Sequence, residues 1–161
     1  MTQIPITRAG YEKLKKELEH IKMVLVPQNI KEIEVARAHG DISENAEFAA
    51  AKERQSFIQG KIQEIENNLA HAHIVDLSRV TNERVVFGAT VTFEEDGSAE
   101  TFTYQLVGPL ESNVGENKIS VTSPLGKALI GKREGDVVTV KTPRGTRTVE
   151  ITEIRIEQNR P

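Results

Sequence analysis

Two carboxylates lie three residues apart in the acidic segment Ala38–Glu47, at Asp41 and Glu44. Mg²⁺ typically takes only one or two carboxylates from a protein, and waters and phosphate oxygens complete its octahedron. The pair could therefore form half of a magnesium site that another macromolecule completes. The same spacing matches an Asp-x-x-Glu capping box at a helix start, where acidic side chains also favour the helix dipole. Spacing alone leaves both interpretations open.

The acidic segment lies between two long helical patterns. With Thr7 as its N-cap, the first helix is predicted over residues 8–39, and Pro27 should bend or break it locally. Gly40 is placed to end that helix, and the second helix is predicted from about Ser43 to about Ile74. Apolar residues recur at spacings of three and four, which predicts a coiled-coil seam. The seam positions are Tyr11, Leu14, Leu18, Ile21 and Leu25, then Ile58, Ile62, Ile65, Leu69 and Ala72.

A short connection between two long helices predicts an antiparallel hairpin. A helix of about 30 residues is roughly 45 Å long, which exceeds the diameter of a small domain. Asp41 and Glu44 would then lie at the tip of a projecting rod, where they cannot support a core. We therefore expect them to be presented to a partner.

The C-terminal half has the period of β-strands. Residues 85–93 alternate, Asp96-Gly97 predicts a hairpin turn, and further strands are expected at 102–106, 118–121, 136–141 and 146–156. Ser123-Pro124 should open a short helix over 125–130. The fold class is therefore α+β. The predicted domains are an antiparallel coiled coil over 1–75, a linker over 76–82 and a small β-rich domain over 83–161.

Composition excludes several classes of function. The chain has 161 residues and no Cys, so disulfides and thiolate metal sites are absent. The formal net charge is −3, so nucleic acid should not be held by charge alone. No apolar run approaches the roughly 20 residues of a membrane span, and the N-terminus lacks signal-peptide features. We expect a cytoplasmic monomer without membrane contact.

Several segments together resemble a known family. The stretch Ala36–Phe48 with Ala50-Ala51-Lys52-Glu53 resembles the tip of bacterial transcript cleavage factors of the GreA/GreB family, and more closely the GreA branch. The resemblance extends over nearly the whole chain. It includes Ile4-Pro5-Ile6-Thr7, Phe87-Gly88-Ala89-Thr90-Val91, Ser120-Val121-Thr122-Ser123-Pro124-Leu125 and Ala128-Leu129-Ile130-Gly131-Lys132.

The resemblance implies both a fold and a role. The C-terminal domain should be FKBP-like, and the coiled coil should enter the secondary channel of bacterial RNA polymerase. There, Asp41 and Glu44 would help to hold a catalytic Mg²⁺ shared with the polymerase. The chain would then stimulate the polymerase to cut the nascent RNA 3′ end in backtracked complexes, by two-metal hydrolysis. It would not be an enzyme by itself.

The resemblance also implies contact residues. Three residues near the tip would contact RNA or polymerase, namely Arg37, Asn45 and Lys52. The alternative is that they are ordinary solvent-exposed residues of the helices. Ser123 and Pro124 would dock on the polymerase. The chain departs from the common family pattern at three places, which are Ser43, Phe48 and Thr122.

Two alternative functions stay open. Inhibitory paralogues of the family occupy the same channel and block synthesis, but their tips tend to carry more acids than the Asp41 and Glu44 pair. A coiled-coil adaptor or chaperone with an FKBP-like domain would not require RNA polymerase as its main partner. An active prolyl isomerase is disfavoured, because the aromatic residues of this half are more simply core residues, namely Phe87, Phe93, Phe102 and Tyr104.

Overall fold

The computed structural model describes residues 3–40 and 45–156. The chain divides into two compact units. One is Tyr11–His71, and the other combines residues 1–10 with residues 72–161. The predicted boundary between residues 75 and 76 lies close to the second division point. The first ten residues, however, pack with the C-terminal unit.

The N-terminal segment is tied to the C-terminal unit by a parallel strand pair. Strand β1 (Ile4–Ile6) pairs with β2 (Ala72–Ile74). Glu111 then accepts hydrogen bonds from the backbone N–H groups of Thr7 and Gly108, each at 2.9 Å, and from the Thr7 hydroxyl. Thr7 accepts a hydrogen bond from Gly10 N at 3.0 Å, which confirms it as the N-cap.

Three α-helices are present among the described residues of the helical part of the chain. They are α1 (Arg8–His20), α2 (Val26–Ala38) and α3 (Ala46–His71). A π-helical turn over Ile21–Leu25 separates α1 from α2, and Pro27 follows within the first turn of α2. Proline lacks the N–H that an α-helix requires, and the wider turn accommodates that loss. The predicted local break at Pro27 is thus confirmed. Gly40 follows α2 with φ +133°.

The second helix is shorter at both ends than predicted. It begins at Ala46 instead of about Ser43, because Asn45 lies outside the helix and caps it. It ends at His71 instead of about Ile74, because Ala72–Ile74 form β2. The pairing with β1 satisfies backbone groups there that a continued helix would have used.

Helices α2 and α3 pair as the predicted antiparallel hairpin. Asn29 is 2% exposed and donates from Nδ2 to the carbonyl of Ala51 at 3.0 Å. Two surface ion pairs also connect α3 to the segment that packs against it: Arg54–Glu32 at 3.1 Å and Lys22–Glu66 at 2.9 Å. Eight of the ten predicted seam residues form the apolar cluster; Tyr11 is not part of it, and Ala72 belongs to β2. The buried residues of the cluster are Ile21, Ile58 and Ile65, packed by Leu14, Leu18, Leu25, Val26, Ile62 and Leu69.

The C-terminal unit is built on a five-stranded sheet in the order β5-β4-β3-β7-β6. The strands are β3 (Thr90–Glu95), β4 (Thr101–Val107), β5 (Lys118–Ser120), β6 (Val137–Thr142) and β7 (Gly145–Arg155). Pairing is antiparallel except between β4 and β5. The hairpin predicted at Asp96-Gly97 joins β3 to β4, and Gly97 has φ +78°.

The strand predicted over 85–93 begins only at Thr90. Its earlier apolar residues are still buried, since Val85 is 1% and Ala89 0% exposed. Their backbone bonds do not form a continuous ladder: Val85 N donates to Lys132 O at 2.8 Å, and Gly88 N donates to Leu106 O of β4 at 2.8 Å. Gly88 has φ +87°. The alternation therefore reported burial in the core instead of a ladder.

Among the helices that the structure describes, none is long and apolar enough to cross a bilayer.

Candidate functional site

The candidate site is the connection between α2 and α3. Asp41, Ser43 and Glu44 lie outside the described residues, so the geometry of the site comes from the chain on either side. Three of the predicted contact residues lie beside this connection: Arg37 in the last turn of α2, Asn45 just before α3 and Lys52 in the second turn of α3.

Asn45 makes two side-chain hydrogen bonds, one within the start of α3 and one across the connection to α2. Its Oδ1 accepts from the N–H of Phe48 at 3.1 Å, which caps α3. Its Nδ2 donates to the carbonyl of Ala36 in the last turn of α2. The cap of α3 is therefore Asn45, whereas the capping box suggested for Asp41 falls outside the described residues. The sequence analysis assigned Asn45 to substrate contact, which stays a prediction.

Two side-chain pairs reinforce this connection. The guanidinium carbon of Arg37 lies over the Phe48 ring, 5.8 Å from its centroid. His39 Nδ1 lies 2.9 Å from Glu47 Oε2. Neither pair was predicted from the sequence. We call three contacts the tip clasp, and they are Asn45–Ala36, Arg37–Phe48 and His39–Glu47.

Arg37 and Lys52 both present positive charge near the connection. Arg37 is exposed on α2, and one face of its guanidinium is covered by Phe48. Lys52 is exposed on α3 and donates from Nζ to Gln55 Oε1 at 2.7 Å. Both contacts are local and weak, so both cations can turn to an anionic partner. Their contact with RNA or polymerase stays a prediction.

The described residues offer no competing metal centre. No group of three or more His, Cys, Asp or Glu side chains within residues 3–40 and 45–156 is arranged to hold a metal ion. The oxygen donors of Asp41 and Glu44 fit Mg²⁺, which accepts few protein carboxylates.

Asp76, in the predicted linker, has its pKa lowered mainly by the backbone N–H of Ser78, which donates to Oδ1 at 2.9 Å.

The predicted docking residues lie at the start of α4 (Pro124–Leu129). Ser123 accepts from Gly126 N at 3.1 Å as the N-cap, and its hydroxyl donates to Ser120 O at 2.6 Å. Pro124 is the exposed first residue of the helix. Thr122 is also exposed, and its hydroxyl lies 2.7 Å from that of Ser120. This loop is thus held rigidly by its own hydrogen bonds.

An apolar pocket of about 470 Å³ lies in the same unit. It is lined by Pro5, Val75, Phe87, Val121, Lys127 and Ile130. Lys127 and Ile130 belong to the segment that follows Pro124, so the pocket adjoins the predicted docking loop. The sequence analysis missed it, because its walls come from three distant parts of the chain and no local pattern brings them together.

Comparison with known families assigns both halves of the chain to one class. Residues 4–74 match the family model described as "Transcription elongation factor, N-terminal". Residues 80–156 match "Transcription elongation factor, GreA/GreB, C-term". The chain therefore belongs to the GreA/GreB family of transcription elongation factors.

Two named relatives agree with this assignment, and one solved structure is also similar. A protein of Syntrophus aciditrophicus named "Transcription elongation factor GreA" is 62% identical, over 97% of each chain. A protein of the same name from Methylococcus capsulatus is 53% identical, over 96% of this chain and 99% of its own. The crystal structure of GreA factor homolog 1 from Thermus thermophilus is 32% identical over 95% of this chain and 99% of its own, with a TM-score of 0.43.

Proposed function

We propose that this chain is a transcript cleavage factor of bacterial RNA polymerase. Its helical hairpin enters the secondary channel, and the connection between α2 and α3 reaches the active site. There it stimulates the polymerase to cut the nascent RNA 3′ end in backtracked or arrested complexes. The family and the names of the relatives support a role in elongation.

The observation that carries the proposal is the cap of α3. The main competing use of Asp41 was a helix cap, and Asn45 supplies that cap. With α3 capped by Asn45, an acidic pair in the sequence between the two helices is best explained by a partner. The length of α3 also suits the proposal, since its 26 residues extend roughly 39 Å at 1.5 Å per residue.

Asp41 and Glu44 are proposed to hold the catalytic Mg²⁺ together with carboxylates of the polymerase. Bound there, Mg²⁺ supplies a Lewis acid that activates water and stabilises charge on the phosphate. Arg37 and Lys52 would contact RNA phosphates or polymerase acids beside it. Because the chain alone provides only half of the metal site, it should not be a nuclease.

The C-terminal unit is proposed to be an FKBP-like docking domain, with Ser123 and Pro124 on its binding surface. The mixed five-stranded sheet and the short helix α4 support this interpretation. The hydrogen bonds within the 120–123 loop present Pro124 in a fixed position, and a fixed position lowers the entropic cost of binding. We propose further that the factor acts as a monomer in the cytoplasm.

The test adds the purified chain to stalled, backtracked elongation complexes whose RNA is labelled at its 3′ end. We expect rapid release of short labelled fragments. Two controls should stay uncut on the same timescale: complexes without the factor, and RNA with factor and Mg²⁺ but no polymerase. Slowed synthesis without fragments would indicate the inhibitory role. Failure to bind polymerase at all would favour the adaptor.

A further inference from the structure

A groove of about 630 Å³ lies on one side of the helical hairpin, between α2 and α3. Its floor consists of small side chains, since Ala36 and Ala51 are buried there and Ala50 lies beside them. The Arg37–Phe48 contact of the tip clasp covers the other side. Phe48 and Ala50 are two positions apart, which is roughly 200° around an α-helix. The hairpin therefore covers one of its sides with its own side chains and leaves the other side open.

Large apolar side chains are exposed along the groove. Val35, on the α2 wall, is 45% exposed. Phe57 is 74% exposed and follows Arg54 of the α3 wall by three residues, so it extends that wall by one turn. Single exposed apolar residues are common on protein surfaces, but a group of them around a groove with a charged rim is typical of an interaction site.

The rim of the groove carries two cations and two carboxylates, and three of these four groups have partners within the chain. Arg54 pairs with Glu32 at 3.1 Å, and Glu47 lies 2.9 Å from His39. Lys31 is exposed and has no such partner among the described residues. A partner that is complementary in charge should therefore place a carboxylate opposite Lys31.

We propose that this groove receives an amphipathic helix of the RNA polymerase, with an acidic residue of that helix facing Lys31. A third helix fits between two antiparallel helices, because its apolar side chains at spacings of three and four can pack onto a floor of small residues. An apolar stripe on such a helix would also cover Val35 and Phe57.

The position of the groove determines the choice of partner. The groove extends to Ala36 near the end of α2 and to Glu47 in the first turn of α3, so it lies beside the connection between the two helices. The inference rests on the proposed function: if the connection enters the polymerase, the groove enters with it. The groove would then supply affinity for the inserted hairpin and take no part in the chemistry.

The first test substitutes exposed residues of the groove, so that the fold is kept. One variant combines Val35→Ser with Phe57→Ser, and another carries Lys31→Glu. We expect the double variant to raise the factor concentration for half-maximal cleavage at least about tenfold, and Lys31→Glu to raise it about threefold or more at low salt. The cleavage rate at saturating factor should stay within about twofold of the parent rate.

Ile30→Ser is the matched control. Ile30 is 48% exposed on α2, like Val35, but it does not line the groove. We expect its half-maximal concentration to stay within about twofold of the parent value. Circular dichroism should be unchanged in all variants.

A crosslink identifies the occupant of the groove. The chain has no Cys, so Val35→Cys and Ile30→Cys each introduce a single thiol that benzophenone maleimide can label. In backtracked complexes, we expect the label on Val35→Cys to crosslink to a polymerase helix with apolar residues at spacings of three and four and at least one Asp or Glu. The label on Ile30→Cys should not reach that helix. A crosslink to RNA or to a second copy of the chain, or none to a polymerase helix, would overturn the inference.

The outcomes separate this inference from the proposed function. If the parent releases fragments and the double variant keeps the parent's half-maximal concentration, the inference is overturned and the proposed function stands. An equal loss of affinity in Ile30→Ser also overturns it, because the groove then has no special role. So does a rate that stays low at saturating factor, because the residues then act in the chemistry. A parent chain that releases no fragments overturns both.

Discussion

At the scale of single residues, two asparagines connect the two sides of the hairpin. Asn45 does so at the connection, and Asn29 does so within the packed helices. Asn29 lies on the same stripe as Ile33 and Ala36, at spacings of four and three, and all three are buried. A buried polar side chain with a single matching carbonyl favours one register of the helices over others. The signal in the sequence was a polar residue on an otherwise apolar stripe.

Substitution of Asn29 should destabilise the hairpin. In Asn29→Ala, the Ala51 carbonyl loses its side-chain donor and a cavity replaces the amide. We expect the free energy of unfolding to fall by about 1–3 kcal/mol, measured by urea denaturation with circular dichroism at 222 nm. Asn67→Ala is the matched control on exposed α3 surface and should change stability by less than about 0.5 kcal/mol. Equal effects of the two substitutions would show that the buried bond is unimportant.

At the scale of elements, the helices were largely predictable from the sequence. The strand pair β1–β2 and the residue at which β3 begins were not. A seam with spacings of three and four is local information, and it located the hairpin from Leu14 to Leu69. The strand pair β1–β2 joins residues almost seventy positions apart, so no window of sequence indicated that helix α3 stops at His71. The residues before Thr90 alternate like a strand because they are buried, but Val85 bonds to the loop after α4, and only Gly88 and Ala89 bond to β4. The Arg37–Phe48 and His39–Glu47 pairs each join the two sides of the hairpin. They could be predicted only once the pairing of the two helices was known.

The close approach of α4 to the 120–121 backbone gives a prediction for docking. A Cβ at Gly126 would lie 2.1 Å from the carbonyl oxygen of Ser120, so Gly126→Ala must displace α4 or the loop. We expect polymerase affinity to fall at least about tenfold, or 1.4 kcal/mol, in a direct binding assay. The helical unit should keep its circular dichroism. If a folded Gly126→Ala chain binds polymerase with wild-type affinity, Ser123 and Pro124 do not belong to the docking surface.

Gly60 provides the matched control for that substitution. It lies within α3, and a Cβ there would meet no atom within 4 Å. Gly60→Ala should therefore stabilise the helix by about 0.5–1 kcal/mol and leave polymerase affinity unchanged. A loss of affinity in Gly60→Ala would mean that alanine at a glycine position has general effects on binding.

At the scale of the whole molecule, the two units are expected to divide the work. The C-terminal unit would dock, and the length of the hairpin would determine how far the acidic segment reaches. Deleting one matched heptad from α2 and one from α3 keeps the seam in phase and shortens the hairpin by about 10 Å. Side-chain rotation cannot recover that distance, because Mg²⁺ requires oxygen ligands at about 2.0–2.1 Å.

The shortened chain should still bind polymerase and should fail to stimulate cleavage. A chain of full length, with the exposed positions of the same heptads substituted, is the control and should cleave normally. The measurement is fragment release at saturating factor, together with binding and circular dichroism. Normal cleavage by the shortened chain would mean that the tip does not act by reaching the active site.

The most direct test replaces the two carboxylates without changing their size. Asp41→Asn and Glu44→Gln remove the charge and weaken metal binding, and the cap of α3 stays with Asn45. The double variant is added at saturating concentration to backtracked complexes, and the initial rate of 3′ fragment release is compared with that of the parent. We predict that the double variant binds polymerase like the parent and adds nothing to the intrinsic rate of the polymerase. A double variant that stimulates cleavage as well as the parent would contradict metal assistance by Asp41 and Glu44.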